Sequence, residues 1–147
     1  MDRSIMAFCL LCCSVLLVAG CRTQQHQSVE LKRYPLDSLE GVIGRSEVEL
    51  DPAISSDGKG SLRVTAAAPL TVRLFVTGDI PVDNGRLIYQ ARLRCEKLQG
   101  QAYLEMWCRF PGKGEFFSRA LHAPLSGTVE WSSQETAFSL KPGEDPD

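Results

Sequence analysis

Apolar and polar residues alternate most strictly between Arg86 and Phe110, RLIYQARLRCEKLQGQAYLEMWCRF. A period of two marks a strand with one buried face. In the first half it places Tyr89, Ala91, Leu93 and Cys95 on one side. In the second half it places Ala102, Leu104, Met106, Cys108 and Phe110 together. The pattern predicts a hairpin that turns at Gln99-Gly100. That register sets Cys95 opposite Leu104, Leu93 opposite Met106, Ala91 opposite Cys108 and Tyr89 opposite Phe110, all apolar pairs. The other face then pairs Arg94 with Glu105, Arg92 with Trp107 and Gln90 with Arg109, with Tyr103 beside Glu96.

Shorter alternating runs flank this region. Leu31 to Ile43 carries scattered apolar residues and offers a first edge element, and Ser46 to Leu50 alternates weakly before the turn signal Asp51-Pro52. Residues 55–60 form a loop, Ser61 to Ala66 a strand, and Leu70 to Thr77 a strand with Leu70, Val72, Leu74 and Val76 inward. Residues 78–85 are turn-rich, and Pro111 to Gly114 is a turn. Glu115 to Leu121 is a further strand, and a bulge or longer loop is expected before it, since simple continuation puts Arg119 with the core set. Pro124 to Gly127 breaks the chain, and Val129 to Trp131 and Glu135 to Lys141 are the last strand candidates. No stretch carries an amphipathic helix of three turns, and there are no repeats. Seven or eight short strands separated by turns predict an all-β fold, an antiparallel β-sandwich of jelly-roll type. At 147 residues there is room for one domain, assigned to residues 31–147.

The N-terminus departs from this pattern. Ile5 to Val18 is an apolar run, too short for the roughly 20 residues of a free-standing membrane span, but suited to the core of a signal peptide. It is followed by Val18-Ala19-Gly20-Cys21, which resembles the lipobox of bacterial lipoproteins. The resemblance implies that residues 1–20 are removed and that Cys21 is acylated, anchoring the protein to a membrane of the cell envelope. Arg22 after the cysteine, by the same resemblance, directs it to the outer membrane, facing the periplasm or the exterior. Residues 22–30 are polar and read as a tether, with His26 solvated in it. Net charge is −2, so there is no basic footprint for nucleic acid.

Of six cysteines, the resemblance implies that Cys9, Cys12 and Cys13 are removed and that Cys21 would carry lipid, leaving Cys95 and Cys108 in the domain. An oxidising compartment permits a disulfide. In the hairpin register the two sit about 13 Å apart along the strands, beyond the roughly 7 Å that a bridge spans. They read as small buried hydrophobes, with a bridge as the alternative.

From Ser46 to Lys141 the chain resembles the galactose-binding-domain-like jelly roll of bacterial carbohydrate-binding modules. The residues that carry the likeness are Gly58-Lys59-Gly60-Ser61-Leu62-Arg63-Val64, Leu87-Ile88-Tyr89-Gln90-Ala91-Arg92-Leu93-Arg94 and Gln101-Ala102-Tyr103-Leu104-Glu105-Met106-Trp107. Trp131 followed by Glu135-Thr136-Ala137-Phe138 matches a late strand. Such domains finish with two more strands, for which there is no room after Lys141. An abbreviated or truncated sandwich is therefore expected, with an exposed sheet edge able to recruit a partner strand.

The candidate ligand platform is the polar face of the central hairpin: Trp107 and Tyr103 for stacking on a sugar ring, with Gln90, Arg92, Arg94, Glu105 and Arg109 for hydroxyls or a carboxylate. Two plainer alternatives stand beside it. The face is solvated, with an Arg94–Glu105 ion pair and Arg92 over Trp107, or other segments cover it and Trp107 is core. A scaffold that docks another envelope protein is the second functional class. No catalytic set is evident. The carboxylates Glu105, Glu115 and Glu130 show no enclosed pair, and His122 has no partnering nucleophile. No cofactor or metal is implied by Cys/His/Asp spacing; Asp79 and Asp83 read as turn formers, with a structural calcium site as the alternative.

Overall fold

A computed structural model describes residues 28–78 and 80–147. The stretch expected to be a signal peptide, the lipobox-like Val18-Ala19-Gly20-Cys21, most of the expected tether including His26, and Asp79 lie outside the described residues. Among the described residues the chain is all-β and antiparallel, with no helix. Six strands follow in order: β1 (Glu49–Asp51), β2 (Ser61–Arg63), β3 (Arg86–Ala102), β4 (Glu105–Phe110), β5 (Gly114–Arg119) and β6 (Leu125–Ser139). They pair as three two-stranded sheets, β1 with β2, β3 with β6, and β4 with β5.

The faces follow the alternation, but the partners do not. Leu87, Tyr89, Ala91, Leu93 and Cys95 point inward from β3, while Arg86, Ile88, Gln90 and Arg92 point out. Leu104, Cys108 and Phe110 are buried, while Trp107 and Arg109 are exposed. The hairpin at Gln99-Gly100 does not form. β3 runs through it to Ala102, with Gly100 in a left-handed conformation (φ 100°). β3 pairs instead with β6, setting Leu87 opposite Phe138, Tyr89 opposite Thr136, Ala91 opposite Gln134 and Cys95 opposite Val129. The chain reverses only after Ala102, and β4 starts a second sheet. Alternation fixes which face is buried; it says nothing about which strand lies alongside.

β6 also joins the two segments predicted as separate strands. Its register against β3 shifts between Leu93 and Cys95, where two residues of β3 oppose three of β6. This bulge changes the phase, so Val129 and Trp131 share a face with Ser132, Gln134, Thr136 and Phe138. Two long strands thus replace several short ones, and the described residues hold six strands rather than seven or eight.

The β4–β5 hairpin closes through Pro111-Gly112, with Lys113 N–H donating to Phe110 C=O at 3.0 Å. Proline followed by glycine at φ 73° suits a type II turn. The register is unbroken from Phe110–Gly114 to Glu105–Arg119. No bulge precedes β5, and Arg119 falls on the outer face opposite Glu105, not with the core.

The core lies where this hairpin meets the β3–β6 ribbon. Leu87, Cys108, Phe110 and Leu140 are buried there, packed by Ile80, Val82, Met106 and Phe138. The Phe110 and Phe138 rings sit 5.9 Å apart, and Ser118 bonds Thr136 through their hydroxyls at 2.8 Å. Leu140 N–H donates to Gly85 C=O at 2.8 Å, fastening the end of β6 beside the start of β3. Cys95 and Cys108 are free thiols in different sheets, and burial pushes the Cys108 thiol up. The hairpin register that would offset the two cysteines does not form, and they are nonetheless unbridged.

Residues 70–77 form no strand. Two backbone hydrogen bonds join the segment to residues 43–44, Ile43 N–H to Leu74 C=O and Gly44 N–H to Arg73 C=O, both at 3.0 Å. Leu70 and Val76 stay exposed rather than inward, and Val64 does likewise beyond the shortened β2. Tyr34 stacks on Phe75 at 4.1 Å, and its hydroxyl donates to Val76 C=O at 3.4 Å.

Candidate ligand-binding face

The outer face of β4–β5 carries three directly opposed pairs: Glu105 with Arg119, Trp107 with Phe117, and Arg109 with Glu115. Alternation places these residues outward, and the short Pro-Gly turn fixes who stands opposite whom. The Trp107 and Phe117 rings lie 5.0 Å apart at 42°. Trp107 is 43% exposed and Phe117 49%. The Glu105 carboxylate accepts the Trp107 indole N–H on one oxygen and the Arg119 guanidinium on the other. Glu105 raises the Arg119 pKa further, mainly through that hydrogen bond. The Arg119 guanidinium also sits 4.3 Å from the Phe117 ring centre, and Arg73 lies 5.9 Å from the Trp107 ring centre. The result is an exposed aromatic pair held in place by a carboxylate and framed by two cations.

The seven residues expected to share one platform divide into three places. Trp107 and Glu105 are on this face, with half-buried Tyr103 just ahead of β4. Gln90, Arg92 and Arg94 belong to the β3–β6 ribbon. Arg92 donates to Trp131 C=O at 3.4 Å and does not lie over Trp107; Arg73 does. Arg94 approaches Glu96 at 3.6 Å and Glu130 at 3.5 Å and does not pair with Glu105. Gln90 stands opposite Glu135 rather than Arg109. Arg109 shares the outer face with Trp107 but is engaged at the far end of β4, where it donates to both oxygens of Asp147 at 2.9 and 3.1 Å.

Three members of the face were missed: Arg73, Phe117 and Arg119. Counting back across a three-residue turn from Phe110–Gly114 sets Phe117 opposite Trp107 and Arg119 opposite Glu105, an aromatic pair and an ion pair. That signal lay in the sequence, hidden by the choice of hairpin. Arg73 arrives through the irregular segment held at Gly44, and no local pattern announces it.

Two open clefts lie elsewhere. One of about 520 Å³ is bordered by Ile80, Pro81, Asp83, Pro111 and residues 145–147. Another of about 490 Å³ lies between residues 30–34 and 76–81, beside Tyr34. Trp107, Tyr103 and Arg92 border neither cleft. The aromatic pair is exposed on the outer face of the hairpin. Asp83 accepts the Gly143 N–H at 2.7 Å, and among the described residues no cluster of three or more metal-ligating side chains converges. Glu105 is neutralised by Arg119, and Glu130 is strongly exposed beside Arg94. No family model matches this chain, and no curated protein or solved structure does.

Proposed function

We propose that this is a lipid-anchored protein of the cell envelope whose domain, a β-sandwich of jelly-roll type, binds carbohydrate or a related polar ligand without catalysing its conversion. The observation that carries the binding reading is the exposed Trp107–Phe117 pair on the outer face of β4–β5. An aromatic pair presents an apolar platform for the C–H face of a sugar ring. The spare N–H groups of Arg73 and Arg119 flank it as donors to hydroxyls or a carboxylate. The packing of the hairpin against the β3–β6 ribbon around Phe110 and Phe138 supports the sandwich. The platform differs from the one expected from sequence: Arg73, Phe117 and Arg119 join Trp107 and Glu105, while Gln90, Arg92 and Arg94 lie on the other sheet and Arg109 is held by Asp147. A glycan array probed with the purified chain tests it, and binding of no glycan would refute it.

The anchor rests on Val18-Ala19-Gly20-Cys21 alone. Its test is metabolic labelling with palmitate: the parent incorporates label and Cys21→Ser does not. Labelling retained in Cys21→Ser would refute acylation at that cysteine.

A second reading is a scaffold that docks another envelope protein. The exposure of Trp107 beside Arg73 and Arg119 favours it, since tryptophan and arginine are also the residues that anchor protein interfaces. Crosslinking in intact membranes separates the two: a stoichiometric protein partner at Trp107 supports docking, and a glycan ligand supports the platform.

A further inference from the structure

Among the described residues β5 is paired on one side only. Ala120 N–H donates to Leu104 C=O at 3.0 Å, so Leu104–Ala120 is a hydrogen-bonded pair. With the unbroken register, the bonded pairs recur at Met106–Ser118, Cys108–Phe116 and Phe110–Gly114. The backbone groups of Glu115, Phe117 and Arg119 therefore point away from β4, along a free edge. The outer edge of β4 obeys the same rule, for there Arg109 C=O accepts the Asp147 N–H at 3.0 Å. Edges of this kind are normally blunted by proline, charged side chains, short length or a bulge. β5, Gly114-Glu115-Phe116-Phe117-Ser118-Arg119, has no proline, lysine or bulge, and its two charges, Glu115 and Arg119, are of opposite sign.

From this edge we infer that two copies of the chain pair β5 to β5 in antiparallel fashion, with Phe117 on the two-fold axis. The register follows from charge. Only edge-facing residues can exchange backbone hydrogen bonds, so the strands slide in steps of two. With Phe117 opposite Phe117 of the second copy, Glu115 of each chain stands opposite Arg119 of the other. A slip in one direction sets Glu115 against an aromatic ring and Lys113 against Arg119, like against like. A slip in the other sets Phe117 against Arg119 and leaves Glu115 opposite Leu121. The axial register alone matches both charges, twice over by symmetry.

The groups it uses are available. Glu115 is exposed and makes no ion pair among the described residues. Arg119, held by Glu105, lies between two carboxylates once the second Glu115 arrives. The Arg119 carbonyl accepts Leu121 N–H at 2.9 Å and keeps a second lone pair. Phe116, 48% exposed at the margin of the core, gains cover from Ser118 of the second copy.

Pairing also builds something that neither copy holds alone. Trp107, Phe117 and their two counterparts fall in one row across a four-stranded sheet, with the tryptophans about 14 Å apart at the usual strand spacing. The self-association stands independently of what the aromatic face binds, so its test reads assembly and not ligand.

The purified full chain should sediment as a reversible dimer. Glu115→Arg sets arginine opposite arginine at both ends of the joint and should weaken the dimer about tenfold or more. Far-UV circular dichroism should be unchanged, because Glu115 is exposed. Phe117→Cys should form an intermolecular bridge on mild oxidation, since a hydrogen-bonded pair lies about 5.5 Å apart between Cα atoms, inside the range a disulfide spans. Peptide mass spectrometry distinguishes this bridge from those of the native cysteines. A parent chain that stays monomeric up to millimolar concentration overturns the inference, as does a dimer indifferent to Glu115→Arg.

Discussion

The carboxylate of Glu105 holds the indole N–H of Trp107 from two positions away on the same strand face. Its other oxygen holds Arg119, whose guanidinium lies over Phe117. One largely buried carboxylate therefore positions both rings of the platform. Replacing Glu105 with Ala should free the indole and release the arginine. In a Trp131→Phe background, Trp107 emission should shift to the red and its anisotropy should fall. Unchanged anisotropy would show that the indole is held by packing alone.

Gly44 makes a second link, between the irregular segment and the rest of the fold. A Cβ there would meet the Arg73 carbonyl oxygen at 2.8 Å and Val72 at 3.0 Å. Backbone cannot yield as a flexible side-chain tip does. Gly44→Ala should cost roughly 1–3 kcal/mol in urea denaturation. It should also raise amide exchange at Arg73 and Leu74, and Arg73 should withdraw from Trp107. A fully stable Gly44→Ala with unchanged exchange would mean that residues 70–77 are not seated on residues 42–44.

Asp51 gives the fold an acid limit. Its carboxylate accepts the N–H of Ile54 and of Ala53, each at 3.0 Å, and lies 3.4 Å from Arg63. These bonds, that of Ile54 first, hold its pKa below the ordinary carboxylate value. A lowered folded pKa contributes stability that is fully present above the unfolded value of about 3.9 and is lost as pH falls through the folded one. The urea midpoint of the parent should therefore drop in acid more steeply than that of Asp51→Asn. Parallel profiles through that window would contradict the assignment.

Much of the fold was legible from period two alone. The inward sets of β3 and β4, the turn at Pro111–Gly114 and the stop at Asp51-Pro52 all follow from local chemistry. Pairing was not legible, and the reason is physical. The hairpin at Gln99-Gly100 was chosen because it matched apolar with apolar. The strand that lies beside β3 sets Thr136, Gln134 and Ser132 against Tyr89, Ala91 and Leu93. Those polar residues find partners: Thr136 bonds Ser118, and Gln134 donates to Ser132 at 3.4 Å. Buried polar groups of this kind are invisible to a hydrophobic pattern and acceptable in a sheet once bonded. The site followed the same logic. Trp107 and Glu105 were visible on their strand, but their neighbours depend on which strand comes alongside.

The direct test of the platform is calorimetric titration of an array-identified glycan into the parent, Trp107→Ala and Arg92→Ala. Stacking on the β4–β5 face predicts that Trp107→Ala weakens binding about tenfold or more, while Arg92→Ala, on the other sheet, leaves it unchanged. Full affinity in Trp107→Ala, or loss in Arg92→Ala alone, would contradict it.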